Sequence, residues 1–157
     1  MLHSCPRLIV SSKFWVPLFL VILDHISKGY VWTHQYLWPK QLTPFLTIVF
    51  VKNRGISFGL LNKEQDWLFW CLTGVIILII SYVTYLLCKT KHNIMRWGLS
   101  LVLGGAIGNV IDRFVYGGVI DFIDVHILSF HWPAFNAADS FIFIGTVLLL
   151  KNSLKEA

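Results

Sequence analysis

Charged residues are scarce in this chain. Of its 157 residues only 13% are charged, whereas 56% are hydrophobic and 15% are aromatic. Soluble domains carry about 25% charged residues, which help to cover a surface in contact with water. The shortage excludes an ordinary soluble domain and predicts a single integral membrane domain over residues 1–157.

Cysteines and nucleophile motifs are scarce as well. The three cysteines, Cys5, Cys71 and Cys88, match no metal-binding spacing, so we predict unpaired structural thiols. No serine or cysteine stands in a nucleophile-elbow context, which disfavours covalent catalysis. The net charge of +5 comes from basic residues beside apolar segments and not from a basic stripe, so we expect no nucleic-acid partner.

Long apolar runs are what the chain has in abundance. Residues 67–88 contain no charged residue and are long enough, at about 1.5 Å per residue, to cross a hydrocarbon layer of about 30 Å. Thr, Ile, Val and Phe surround a turn at Asn53-Arg54-Gly55, a pattern typical of short strands. We predict an all-α membrane protein, a four-transmembrane-helix bundle with a small β-structured element at the outer membrane surface. The predicted spans are residues 14–32, 67–88, 97–116 and 136–150, and the β element covers about 44–58.

Basic residues are distributed unequally between the two sides of these spans. Seven lie on the side that holds both termini, namely Arg7, Lys13, Lys89, Lys91, Arg96, Lys151 and Lys155. Four are spread over the long loop on the other side, namely Lys40, Lys52, Arg54 and Lys63. Cytoplasmic segments are enriched in Lys and Arg. We therefore expect both termini in the cytoplasm and the loops 33–66 and 117–135 outside.

Polar residues are concentrated in the stretch 104–140. Ionisable groups next to lipid are costly, so such a cluster indicates a functional site. Asp121 lies in the second outer loop and Asp139 follows it, and two converging carboxylates can share a proton and act as base and acid. The alternative for Asn136 and Asp139 is a helix cap, with Asn136 as the N-cap and Asp139 at the third helical position.

Two further polar groups each have a structural and a functional interpretation. Asp24 and Lys28 share a helix face, either as an ion pair that locks onto a neighbouring helix or as a contact for a proton or substrate. Asn109, Asp112 and Arg113 lie near the outer end of the third span. They form either a helix-end clasp with an Asp–Arg pair or a site for the polar parts of a substrate.

Asp121, Asp124 and His126 raise the alternative of a metal site. Their spacing is loose, and no His-x-x-x-His pair on a helix supports it. We therefore expect no metal at these residues.

Five motifs in this chain resemble those of lipoprotein signal peptidase, the bacterial signal peptidase II, a family of membrane aspartic peptidases. They are Asp24-x-x-x-Lys28, Asn53-x-Gly55-x-x-Phe58, Gly108-Asn109-x-x-Asp112-Arg113, Gly117-x-Val119-x-Asp121-Phe122 and Phe135-Asn136-x-Ala138-Asp139-Ser140. Any one of them is weak, but five in the family's order are highly specific. The resemblance extends from the first predicted span to the last.

The resemblance implies a reaction and a location. The reaction is removal of the signal peptide from diacylglyceryl-modified prolipoproteins, just before the lipidated cysteine, without a metal or organic cofactor. The location is the bacterial cytoplasmic (inner) membrane, with four transmembrane helices, both termini in the cytoplasm and the active site near the outer face. We expect prolipoprotein substrates, membrane lipid and a globomycin-type cyclic peptide inhibitor as partners, and a monomer.

The resemblance also implies roles for single residues. Asp121 and Asp139 would be the catalytic pair and would hold one water between them. The supporting and substrate-binding residues would be Asp24, Lys28, Asn53, Gly55, Asn109, Asp112, Arg113 and Asn136.

The chain departs from the family pattern at a few neighbouring positions. His25 and Ser27 stand where Gln and Thr are expected, and Ile56 stands where Ala is usual. These departures concern substrate preference more than activity. Two other functions stay open at this point, a small transporter that relays protons through the acidic cluster and a non-catalytic lipoprotein-binding scaffold.

Overall fold

The computed structural model describes residues 14–55 and 66–156. Within these residues four long helices dominate the architecture. They are α1 (Trp15–Thr33), α2 (Asp66–Lys89), α3 (Asn93–Tyr116) and α4 (Ala137–Glu156). A short 3₁₀ helix, Gln35–Leu37, follows α1. The fourth helix is longer than predicted, since it continues through Lys151 to Glu156 instead of ending at residue 150.

Three of these helices have the length and composition of a membrane span. They are α2, α3 and the Ala137–Leu154 part of α4, with mean hydropathies of 2.3, 1.4 and 1.3. The helix α1 is not among them, because Asp24 and Lys28 within its 19 residues lower its mean hydropathy. The prediction of a fourth span at α1 stays a prediction.

A four-stranded antiparallel sheet lies at one end of the helices. Its strands, in spatial order, are β1 (Lys40–Thr43), β2 (Leu46–Asn53), β3 (Val119–Ile127) and β4 (Phe130–His131). The strand β2 falls within the predicted β element, whereas residues 56–58 of that element lie outside the described part of the chain. The strands β1, β3 and β4 lie outside the predicted element and were not predicted, and β3 is one of the two strands that pair with β2.

Small residues on α3 allow its neighbours to approach closely. A side chain at Gly105 would collide with the backbone carbonyl of Ala138 at the start of α4, and one at Gly104 would meet Leu20 on α1. Helix α3 therefore packs directly against both α1 and α4. This packing brings the polar faces of three helices to one end of the molecule, next to β3.

Candidate active site

Asp121 is held on β3 by two asparagine side chains. Its carboxylate accepts a hydrogen bond of 2.9 Å from Nδ2 of Asn53 and another of 2.7 Å from Nδ2 of Asn136. The backbone N–H of Gly55 donates to Oδ1 of Asn53 at 2.8 Å, which fixes the orientation of that amide. Asp121 is only 3% exposed, so both of its oxygens are positioned by the protein.

Asp139 lies in the first turn of α4, where it takes part in a reciprocal cap. Its backbone N–H donates to Oδ1 of Asn136 at 2.9 Å, and its own carboxylate accepts from the backbone N–H of Asn136 at 3.2 Å. This is the geometry of a capping box. Asp139 also accepts a hydrogen bond of 2.8 Å from Nδ2 of Asn109. The two interpretations of Asn136 and Asp139 are therefore compatible, since the cap residues also face Asp121 and Asn109.

Asn109 and Asn136 connect the two carboxylates into one network. Nδ2 of Asn136 lies 3.2 Å from Oδ1 of Asn109, in addition to its bond to Asp121. Nδ2 of Asn109 points to Asp139. The strand β3 and the helices α3 and α4 thus present Asp121 and Asp139 to the same small region.

Lys28 is the centre of a buried ionic cluster beneath this network. Its ammonium lies 2.6 Å from Oδ2 of Asp24, 2.8 Å from Oδ2 of Asp112 and 2.8 Å from Oδ1 of Asn109. Lys28, Asp24 and Asp112 are all 0% exposed. The other oxygen of Asp24 accepts from the backbone N–H of Ala138 at 2.9 Å. The ion pair on α1 therefore locks α1 onto both α3 and α4.

Asp112 and Arg113 do not form the pair that the helix-end clasp requires. Asp112 binds Lys28 and also accepts from the backbone N–H of Ile120 at 3.2 Å, so it ties α3 to β3. Arg113 lies over the ring of Phe69 instead, with its guanidinium carbon 5.1 Å from the ring centroid. Its Nε and Nη1 atoms are buried and have no hydrogen-bond partner among residues 14–55 and 66–156. Gly55 packs against this guanidinium, which leaves no room for a side chain there.

The environment of Asp121 favours its protonated form. Burial is the largest cause and raises the pKa of Asp121 from its ordinary value of 3.8 to about 6. The nearby charge of Asp139 acts in the same direction, whereas the hydrogen bonds from Asn53 and Asn136 lower the pKa and partly offset the effect of burial. A carboxyl group with a raised pKa beside a second carboxyl group is suited to acid–base chemistry.

The three residues of the alternative metal site do not converge. Asp121 faces Asn136, whereas Asp124, three positions along the same strand, binds Nδ1 of His131 at 2.9 Å on the opposite face. Nε2 of His126 lies 3.1 Å from Oγ1 of Thr47. Within residues 14–55 and 66–156, no three His, Cys, Asp or Glu side chains are arranged to hold a metal ion.

Comparison with known proteins identifies the family of this chain. The family model for signal peptidase II matches residues 16–155. The chain belongs to the signal peptidase II family. It is 42% identical over 142 residues to the lipoprotein signal peptidase of Burkholderia thailandensis, covering 89% of this chain and 86% of the relative. The lipoprotein signal peptidase of Cupriavidus necator is 41% identical over 140 residues, covering 88% and 80%.

Solved structures of similar fold are bacterial membrane enzymes. Two of them superimpose on this signal peptidase II family member with TM-scores of 0.77 and 0.78, each at 31% identity. The first comparison covers 94% of this chain and 90% of the other, and the second covers 95% and 96%. The helical architecture with its small sheet is therefore that of a membrane enzyme.

Two features of the candidate site in this chain were not predicted from the sequence. The strand β3 was assigned only to an outer loop, although its run Val119-Ile120-Asp121-Phe122-Ile123 is rich in strand-forming residues. Phe69, which supports Arg113, was not singled out, because an aromatic residue in an apolar span gives no signal of a distant partner. Phe58, a residue of the second motif, lies outside the described residues.

Proposed function

We propose that this protein is an aspartic endopeptidase that removes the signal peptide from diacylglyceryl-modified prolipoproteins. The observation that carries the proposal is the pair of carboxylates, Asp121 and Asp139, held in one asparagine network at the end of the helices. Membership of the signal peptidase II family supports the substrate class. The cut falls just before the cysteine that carries the lipid.

The two aspartates divide the acid and base roles. A water between them attacks the scissile carbonyl carbon, and Asp139 accepts the proton of this water as the base. Asp121, whose raised pKa favours the protonated form, delivers its proton to the amide nitrogen as the C–N bond breaks. The products are a carboxyl terminus on the signal peptide and a free α-amine on the lipidated cysteine. Proton exchange between the pair and water restores the starting state.

Arg113, Asn53 and Gly55 flank the path of the substrate peptide in this proposal. The unpartnered Nε–H and Nη1–H of Arg113 are donors suited to a peptide carbonyl. Burial of the donors without a partner costs free energy, which a bound peptide would recover. Globomycin, a cyclic peptide, would compete for the same donors.

The bilayer itself positions the substrate. The acyl chains of the diacylglyceryl group stay in the membrane and hold the cysteine near its surface, so that the reacting groups meet as if they were joined in one molecule. No metal or organic cofactor has a step in this reaction.

The proposed topology has four spans in the bacterial inner membrane, with both termini in the cytoplasm. The helix α1, at 19 residues, is about 28 Å long, which matches the hydrocarbon thickness. The buried pairing of Asp24 and Lys28 lowers the cost of placing both charges there. The active site then lies near the outer face, and the protein acts as a monomer.

Mass spectrometry of a lipidated substrate tests the proposal. The purified protein, in micelles with EDTA, is incubated with a diacylglyceryl-modified prolipoprotein peptide and with the same peptide lacking the lipid. Cleavage before the cysteine of the lipidated peptide, blocked by globomycin, is the expected result. An intact lipidated peptide, with protein of normal thermal stability, would refute the peptidase reaction.

A further inference from the structure

A basic cleft lies at the same end of the molecule as the candidate active site. Its volume is about 560 Å³, and it is lined by Lys52, Arg54, Asp66 and Gly117. These residues come from the end of β2, the start of α2 and the C-cap of α3. Neither Lys52 nor Arg54 belongs to the catalytic network described above.

Two features indicate that the cleft would lie near phospholipid headgroups in a membrane. It opens between the first residue of α2 and the C-cap of α3, which are the ends of two helices suited to cross a membrane. Trp67 and Trp70, in the first turns of α2, are 66% and 49% exposed. Exposed tryptophans at the end of a membrane span are typical of the headgroup region.

Lys52 supplies a cation that nothing in the described structure neutralises. Its aliphatic stem packs on Gly118, and its ammonium lies over Gly117, where an added Cβ would come within 3.6 Å of Nζ. Gly117 adopts a left-handed conformation, with φ at 66°, which glycine adopts readily. Among residues 14–55 and 66–156, the ammonium has neither an ion-pair nor a hydrogen-bond partner.

Arg54 is held on the other side of the cleft. Its guanidinium lies 5.1 Å from the centroid of the Phe69 ring and forms an ion pair through Nη2 with Asp66. One carboxylate thus opposes two cations, so the lining carries a net positive charge. The N-terminus of α2 adds partial positive charge, whereas the C-terminus of α3 adds partial negative charge, and the two contributions offset each other.

We propose that this cleft binds the phosphate group of a membrane phospholipid headgroup. A phosphate at headgroup level would satisfy the ammonium of Lys52 and the N–H groups of Arg54 that do not bind Asp66. The side chain of Lys52 points to the opposite face of β2 from Asn53, which binds Asp121, so the lipid does not occupy the catalytic face. The inference therefore does not depend on the proposed cleavage reaction.

Native mass spectrometry of the full chain in detergent tests the lipid site. The probes are phosphatidylglycerol, diacylglycerol without a phosphate, inorganic phosphate and hexa-aspartate. The wild type is compared with Lys52→Gln, Arg54→Gln and the control Lys40→Gln, which removes an exposed lysine on β1 of the same sheet. Thermal midpoints of all four proteins show whether each variant is folded.

The expected result is selective binding of phosphatidylglycerol that depends on the cleft. Lys52→Gln should weaken it about fivefold, which corresponds to the roughly 1 kcal/mol that one basic residue contributes near an anionic lipid surface. Lys40→Gln should leave it unchanged, and diacylglycerol should bind equally to all four proteins. Equal binding of phosphatidylglycerol to wild type and Lys52→Gln would overturn the proposal. So would a Lys52-dependent preference for inorganic phosphate or for hexa-aspartate over the lipid.

Discussion

Asn136 donates a 2.7 Å hydrogen bond to Oδ1 of Asp121 with the same side chain that caps the helix carrying Asp139. One residue thus sets the start of α4 and the orientation of the opposing carboxylate. Because the cap fixes where α4 begins, it also fixes where Asp139 stands relative to Asp121. Helix capping and the geometry of the candidate site are therefore one structural feature in this protein.

Substitution at Asn136 separates these two roles. Asn136→Ser keeps an N-cap oxygen but is too short to reach Asp121, whereas Asn136→Ala loses both interactions. We expect Ala to be less stable than Ser by about 1 kcal/mol. Both variants should lose about tenfold in cleavage rate, because each lacks the hydrogen bond that orients the Asp121 carboxyl group. Thermal unfolding and peptide cleavage measure the two effects, and wild-type turnover by Asn136→Ser would contradict the orienting role.

Removal of Lys28 should be among the most destabilising single changes. Lys28→Met leaves two carboxylates, Asp24 and Asp112, buried without their cation, at a cost of about 3–5 kcal/mol. The matched control is Asp66→Asn, which breaks the exposed ion pair with Arg54 and should cost less than about 1 kcal/mol. Thermal midpoints in detergent compare the two. Similar shifts for both would mean that the buried cluster does not hold the helices together.

Gly108 should not tolerate a methyl group. The Cβ of Gly108→Ala would lie 2.6 Å from Oδ2 of Asp24, so this carboxylate would be displaced from Lys28. Gly74→Ala on α2 is the control, because nothing lies within 4 Å of its added Cβ. In a helix interior, alanine is more favourable than glycine by about 1 kcal/mol. We expect a lower thermal midpoint and slower cleavage for Gly108→Ala, and an unchanged or higher midpoint for Gly74→Ala. The same midpoint in both variants would argue against close packing at Gly108.

The raised pKa of Asp121 predicts a dependence of stability on pH. The folded protein holds this proton up to about pH 6, whereas the unfolded chain releases it near 3.8. Stability should therefore fall as the pH rises from about 4 to about 6, by about 3 kcal/mol from this group. Asp121→Asn lacks this contribution, so its stability relative to wild type should improve across that window. A constant difference between the two proteins from pH 4 to pH 8 would refute the raised pKa.

Local spacing was enough to predict much of the candidate site. Residues four apart on a helix share a face, so an ion pair was one of the two interpretations of Asp24 and Lys28, and the structure contains that pair. The cap at Asn136 and Asp139 is likewise a short-range pattern, with both partners within one helical turn. Such interactions depend on the chain near each residue, which is why the sequence reveals them.

The interactions that sequence reasoning missed join distant parts of the chain. One of the two interpretations paired Asp112 with Arg113, but adjacent residues on a helix point in different directions, and the partner of Asp112 is Lys28 on α1. The contact of Arg113 with Phe69 depends on how α2 packs against α3. The pairing of β3 with β2 joins segments separated by more than sixty residues, and no local pattern specifies that register.

The most direct test of the account is turnover by three aspartate variants. Asp121→Asn and Asp139→Asn should each lower the cleavage rate of the diacylglyceryl-modified peptide by at least about a hundredfold, because each removes the acid or the base. Asp124→Asn, on the opposite face of the same strand, should cleave within about twofold of the wild-type rate, since its partner is His131. Mass spectrometry of the product quantifies all three rates. Wild-type turnover by a folded Asp121→Asn or Asp139→Asn protein would contradict the catalytic pair.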